Sequence, residues 1–192
     1  MLCYDFFMNT RILLIAVLIV IAISGCSFFQ KKELDVAAEE VAYVNSGKVI
    51  EQAVLKKGGK LLIVPFSAGV NVAATNEMDK VALGIVKGIY DVVGGGKSSF
   101  EILNVDNASE AEVVIKGHIT QMVAPKKGFT KWFKMGKKKK VLAAEGKMIA
   151  KDTGQIVLVF SHSRETKIKD QSLVDLGVLL GQDIGKFILS EI

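Results

Sequence analysis

The feature that most constrains this chain is an uninterrupted apolar run, ILLIAVLIVIAI over residues 12–23, closed by Ser24, Gly25 and Cys26. A helix that crosses a bilayer needs about 20 apolar residues, whereas a run of about 10 to 14 has the length of a signal-peptide centre. Twelve residues with the single cation Arg11 in front of them therefore read as an export signal, not as a membrane anchor. The segment ahead of Met8 carries Asp5 and bulky aromatics where such a signal carries positive charge. That points to Met8 as the start of translation, which an N-terminal label on the unprocessed precursor would test.

The end of the run identifies the type of signal. Ile23-Ser24-Gly25-Cys26 resembles the lipobox of bacterial lipoproteins: an aliphatic residue, two small ones, then cysteine. Small residues let the chain enter the peptidase, and the thiol accepts the diacylglyceryl group. Cleavage between Gly25 and Cys26 is expected to leave Cys26 as the lipidated N-terminus. One acyl chain attaches a protein marginally and two attach it stably, so a fully acylated Cys26 is an effectively permanent membrane anchor. An ordinary secretory signal followed by a free cysteine is the competing reading. Cys3, the only other cysteine, lies in the leader, so no partner thiol remains for a disulfide. In Gram-negative lipoproteins Asp after the cysteine favours inner-membrane retention. Ser27 stands there, which implies an outer-membrane address facing the periplasm.

The rest of the 192 residues is one domain's worth of chain. The leader removes one Arg and one Asp, so the net charge of +5 is unchanged by its loss. That excess is concentrated. Lys126, Lys127, Lys131, Lys134, Lys137, Lys138, Lys139 and Lys140 fall in one segment, interleaved with Phe129, Trp132, Phe133 and Met135. Lysines meet headgroups or phosphates while Trp and Phe enter the boundary region, so the segment suits an anionic interface. The bland reading is a solvated hairpin connection whose aromatics fold back on the sheet. Nucleic acid would fit the same residues, but export removes the chain from it.

Periodicity orders the mature chain. Residues 27–32 form a tether. Leu34, Ala37, Ala38, Val41 and Val44 recur at helical spacing, and Val49, Ile50, Ala53 and Val54 repeat the pattern after a break at 45–47. The run 60–66 (KLLIVPF) has the all-apolar character of a strand inside a sheet, with Pro65 near its end. Thr75 or Asn76 can cap a helix with Met78, Val81, Ala82, Ile85, Val86, Ile89 and Val93 on its apolar face, ended by Gly94-Gly95-Gly96. Strands are expected at 100–105, 111–123, 140–151 and 155–166, the last two joined as a hairpin by Asp152-Thr153-Gly154. Ser172 can cap a final helix with Leu173, Leu176, Val178, Leu180, Ile184, Phe187 and Ile188 buried. The order predicts an α/β fold, a mixed β-sheet packed by helices, behind a cleaved signal helix. The expected divisions are 1–25 signal, 26–59 tether and short helices, and 60–192 the α/β domain.

No residue set here announces catalysis. Gly94-Gly95-Gly96-Lys97-Ser98 has phosphate-loop composition, but it follows a helix and precedes a strand, the reverse of the order that aims a helix N-terminus at phosphate. His118 and His162 sit in expected strands without acids or thiols at ligand spacing, and read as strand-face polar residues. Ser161 and Ser163 flank His162, yet adjacent strand residues point to opposite faces. Acids such as Asp79, Asp91, Glu101 and Asp106 are scattered. No enzyme activity, metal or cofactor is expected.

Three segments carry a wider resemblance: residues 61–66, the stretch AEVVIKGHIT at 111–120, and DTGQIV at 152–157. They resemble envelope lipoproteins similar in fold to the N-terminal domain of TolB, among them the curli secretion factor CsgG and the penicillin-binding-protein activators. The domain-of-unknown-function 4410 family is also similar, with a glycine-containing loop where residues 132–136 stand. The resemblance covers about residues 60–192 and implies a TolB-like layer and a mostly non-enzymatic role; it brings no functional residue beyond Cys26. The expected function is an adaptor or assembly factor, tied to the membrane through acylated Cys26, with an envelope protein or peptidoglycan as partner. The alternative is a subunit of a CsgG-like oligomeric secretion apparatus, although this chain lacks room for long membrane-spanning hairpins.

Overall fold

The computed structural model describes residues 43–96, 98–124, 139–168 and 171–192. The expected helix over 34–44 lies outside these residues apart from Tyr43 and Val44, which form a bend rather than a helix. In chain order the elements are β1 (Ser46–Val49), α1 (Gln52–Lys57), β2 (Gly59–Ile63), β3 (Ser67–Ala68), α2 (Asn76–Val93), β4 (Phe100–Leu103), a 3-10 turn (Val105–Glu110), β5 (Val113–Val123), β6 (Lys140–Ala150), β7 (Ile156–Thr166) and α3 (Leu173–Ser190). One mixed seven-stranded sheet runs β1-β7-β6-β5-β2-β4, with β3 beside β5. β2 is parallel to β4 and β5, and the β5-β6-β7-β1 part is antiparallel. The expected mixed sheet packed by helices is what forms.

One expectation is corrected at the start. Residues 49–54 are not one helix: Val49 ends β1, paired antiparallel with β7, and α1 begins only at Gln52. Ile50 and Glu51 both donate their amides to the Val157 carbonyl, so the backbone is held by the sheet until it turns. In a window this short, strand and helix spacings are indistinguishable.

β2 has strands on both sides, as its apolar run suggested. Val64 still donates to Ile115 O at 2.9 Å. Pro65 follows with no amide to offer, and the ladder is interrupted until β3 resumes pairing with β5 at Ser67. Thr75 caps α2, its Oγ1 accepting from Met78 N at 3.2 Å. Ser172 caps α3 in a reciprocal box with Asp175: Asp175 N donates to Ser172 Oγ at 3.0 Å and Ser172 N to Asp175 Oδ2 at 2.8 Å. The β6-β7 turn closes with Gly154 at φ 71°, a left-handed conformation that glycine adopts without strain.

Both long helices lie on one face of the sheet. Val81, Ile85 and Ile89 of α2 and Leu176, Leu180, Ile184 and Ile188 of α3 share a core with Leu61, Ile63, Ile115, Ile119, Leu142 and Leu158. Glycines let the helices meet backbone to backbone. A Cβ at Gly88 would collide with the Val178 carbonyl, and one at Gly181 with the Ile85 carbonyl. On the same face Gly117, Gly146, Phe160 and Gly47 stand in one register row across β5, β6, β7 and β1. The rings of Phe66, Phe160 and Phe187 occupy the space over Gly117, Gly146 and Gly47 respectively. Phe66 and Phe160 meet at 6.2 Å between ring centroids.

Candidate functional site

The opposite face is covered at one end only. There Leu62, Leu103 and Ala111 form a small second core with Val64, Ala108 and Val114, roofed by the 3-10 turn. Over β5, β6, β7 and β1 the face lies open as a groove of about 690 Å³ with Val64 and Pro65 on one wall. A volume of this order is typical of a ligand site.

Strand alternation decides what the groove displays. Ile115, Gly117 and Ile119 point into the core, so Lys116 and His118 point out. The pairing registers then align two rows across the strands. One row is Lys116, Lys147, Val159 and Lys48; the next is Ser67, His118, Glu145, Ser161 and Ser46. His118 Nε2 lies 3.7 Å from Glu145 Oε2. Among the described residues Lys48, Lys116 and Lys147 make no ion pair. The groove is thus lined by Lys116 and Lys147, with Lys48 continuing their row beyond its lining, beside a row of hydroxyls, an imidazole and the Glu145 carboxylate.

His162 has a different setting from the strand-face role expected of it. Its side chain is only 11 % exposed and points at α3, where Nε2 lies 2.9 Å from Asp183 Oδ2. Arg164 donates to the same carboxylate, from Nη2 to Oδ1 at 2.9 Å and from Nε to Oδ2. Asn45 Oδ1 closes the network, 2.9 Å from His162 Nδ1 and accepting from Ser163 N at 2.6 Å. Burial pushes the Asp183 carboxyl up, but the hydrogen bonds from Arg164 and His162 outweigh it and hold the group below the ordinary carboxylate range. Asp183 was missed in the sequence although it lies on the buried stripe of α3, where a carboxylate needs a partner.

No Ser Oγ is bonded to either histidine among the described residues, and Ser163 Oγ bonds to Asn45 instead. Nor do those residues gather three His, Cys, Asp or Glu side chains at metal-binding distance. The glycine loop follows α2 as read from the sequence: Gly94 N donates to Tyr90 O at 2.8 Å, and Ser98 Oγ accepts from Phe100 N at 2.9 Å. Lys97 lies outside the described residues.

Cys26 and Gly25, the expected lipidation and cleavage residues, also lie outside them, as do Lys126, Lys127, Lys131, Trp132, Phe133, Lys134, Lys137 and Lys138. The two lysines of the basic segment that are described engage the fold. Lys139 Nζ sits 2.8 and 2.9 Å from the two oxygens of Glu165, and Lys140 donates to the Gln171 carbonyl. No described helix is long and apolar enough to cross a membrane.

No protein-family model matches the sequence. No curated protein matches it either. Solved structures do share its shape in part. A PelC dodecamer from Paraburkholderia phytofirmans is similar at 15 % identity over 77 % of this chain and 94 % of its own, with a TM-score of 0.46. Lipoprotein GNA1162 from Neisseria meningitidis is similar at 10 % identity over 67 % of this chain and 97 % of its own, with a TM-score of 0.40. A Xanthomonas campestris protein of the DUF330 family is similar at 11 % identity over 68 % of this chain and 82 % of its own, with a TM-score of 0.42.

Proposed function

We propose that this chain is a non-catalytic envelope lipoprotein, held at the membrane by acylated Cys26, that acts as an adaptor or assembly factor at the periplasmic face. The observation that carries the reading is the lipobox-like Ile23-Ser24-Gly25-Cys26 at the end of an apolar run too short to span a bilayer. The open face of the sheet supports the adaptor role, because it offers a partner a groove while the helices seal the other face. Ser27 supports an outer-membrane address.

Intact-mass analysis and envelope fractionation of the wild type beside Cys26→Ala test the anchor. The wild type is expected to carry lipid and sediment with the outer membrane, and the variant to be unlipidated and released from it. A wild type that is soluble and free of lipid sinks the reading. Crosslinking of intact envelopes tests the adaptor role, and repeated failure to recover any reproducible partner would count against it.

A further inference from the structure

We propose that the groove on the open face binds a carboxylate-bearing glycan strand, with Lys116 and Lys147 contacting its anionic groups and Lys48 extending the row. The proposal rests on the envelope reading above for where such a partner is met.

Lys116 and Lys147 are directly paired in register on adjacent strands. Opposed Cα atoms are about 4.5–5.5 Å apart, and like charges in that position oppose folding. An anion seated between the two ammonium groups relieves the repulsion and gains charge-assisted hydrogen bonds. Lys48 stands in the same row beyond Val159, two strand spacings or about 9.5 Å away from Lys147. Read across the strands, the row offers cation, cation, apolar floor, cation. Its complement is a chain with repeated anionic groups along one edge.

The neighbouring row sets the chemistry of the other edge. Ser67, His118, Ser161 and Ser46 present donors and acceptors, and the Glu145 carboxylate among them repels an anion that strays from the lysine row. Hydroxyls suit this row and carboxylates the first, the two groups that alternate along an acidic sugar chain. An acidic peptide fits less well. The backbone groups of β5, β6 and β7 are already spent in their ladders, so a peptide lying across them would leave its amides unpaired over Val159 and Pro65. A glycan has no such backbone. A flat lipid surface reaches the lysine tips without entering the groove.

The test is calorimetric titration of the processed, lipidated protein, in non-ionic detergent micelles, with a short oligogalacturonate. Its methyl ester and a capped oligoglutamate are comparison probes, and anionic phospholipid vesicles are a third, counted only by what they bind beyond neutral vesicles because the acyl anchor inserts into both. Oligogalacturonate is expected to bind, with the ester, the peptide and the vesicles each weaker by about tenfold or more, and Lys116→Gln/Lys147→Gln is expected to lose about tenfold or more, the size of a charged hydrogen bond. Lys80→Gln on α2 is expected to bind as the wild type does. Thermal melting separates binding loss from misfolding, and the double variant is expected to melt no lower than the wild type. Equal binding by the double variant, equal binding of the ester, or binding of oligoglutamate or vesicles as tight as that of oligogalacturonate would each overturn the proposal. Failure of the groove leaves lipidation of Cys26 intact, whereas an unlipidated Cys26 sinks the anchor and leaves groove binding measurable.

Discussion

At the scale of single residues, Asp183 is the one buried carboxylate among the described residues. Its carboxylate, 9 % exposed, accepts from Arg164 and His162 and ties α3 to β7. Removing one partner of a buried ion pair costs about 3–5 kcal/mol because the other charge is left uncompensated. Arg164 is 37 % exposed and keeps some water, so Asp183→Asn is expected to lose about 3 kcal/mol in urea unfolding at neutral pH. The pH dependence has a defined sign. The folded carboxyl titrates below its unfolded value of about 3.9, so its stabilisation is present above that pH and is lost as pH falls through the folded value. The gap between wild type and Asp183→Asn is therefore expected to narrow on acidification below about pH 4. A gap that stays constant down to about pH 2 would show that the charge is not what matters. Comparing the two proteins isolates this group from Glu110, Glu165 and Asp175, whose carboxyls are also held low by hydrogen bonds from Lys60, Lys139 and Ser172. The sequence contained half of this site. Leu176, Leu180, Asp183 and Phe187 follow helical spacing, so an acid on a buried stripe was legible, but Arg164 and His162 reach it only through the fold.

At the scale of elements, the pairing of α2 with α3 depends on glycine spacing. Gly84 and Gly88 on one helix face Gly177, Gly181 and Gly185 on the other, each set four residues apart and hence on one side of its helix. Alanine at position 181 would gain about 1 kcal/mol of helix propensity. It would also drive a methyl group into the Ile85 carbonyl, a backbone atom that no rotamer change can move. The clash is expected to win, so Gly181→Ala should unfold at lower urea, with a net loss of about 1–3 kcal/mol. Leu83→Ala on the exposed side of α2 is expected to stay within about 0.5 kcal/mol of the wild type. Equal stability of Gly181→Ala and wild type would mean that the helices are not in close contact. Apolar periodicity located α2 and α3, because a helix writes its buried face into local spacing. It could not separate a strand from a helix over 49–54, where the chain crosses from sheet to helix within a few residues.

At the scale of the whole molecule, the described segment just before β2, residues 46–57, is part of the core. β1 is hydrogen-bonded along β7, and Leu55 of α1 is fully buried among the residues that α2 and α3 cover. Leu55→Ala is expected to cost about 2–5 kcal/mol, measured by chemical denaturation. A change below about 0.5 kcal/mol, the size seen at ordinary surface sites, would mean that this segment is a tether instead. The sheet also explains why one face is closed and one is open. The glycine row and its three phenylalanine rings fill the helix side, while the second core reaches only β2, β4 and the start of β5.

By itself the sequence determined the short apolar run closed by a cysteine, a helix cap at Thr75 or Asn76 and another at Ser172, the β6-β7 turn and the strand spacing over 113–123. These are properties of neighbouring residues, set by periods of 3.6 and 2 and by a few turn and cap residues. Only the tertiary structure decided that Lys116 stands beside Lys147, that Lys48 joins their row, and that Asp183 meets Arg164 and His162. Strand order and register are agreements between segments far apart in the chain. Local spacing carries no information about the partner, and the shared burial of both segments selects it.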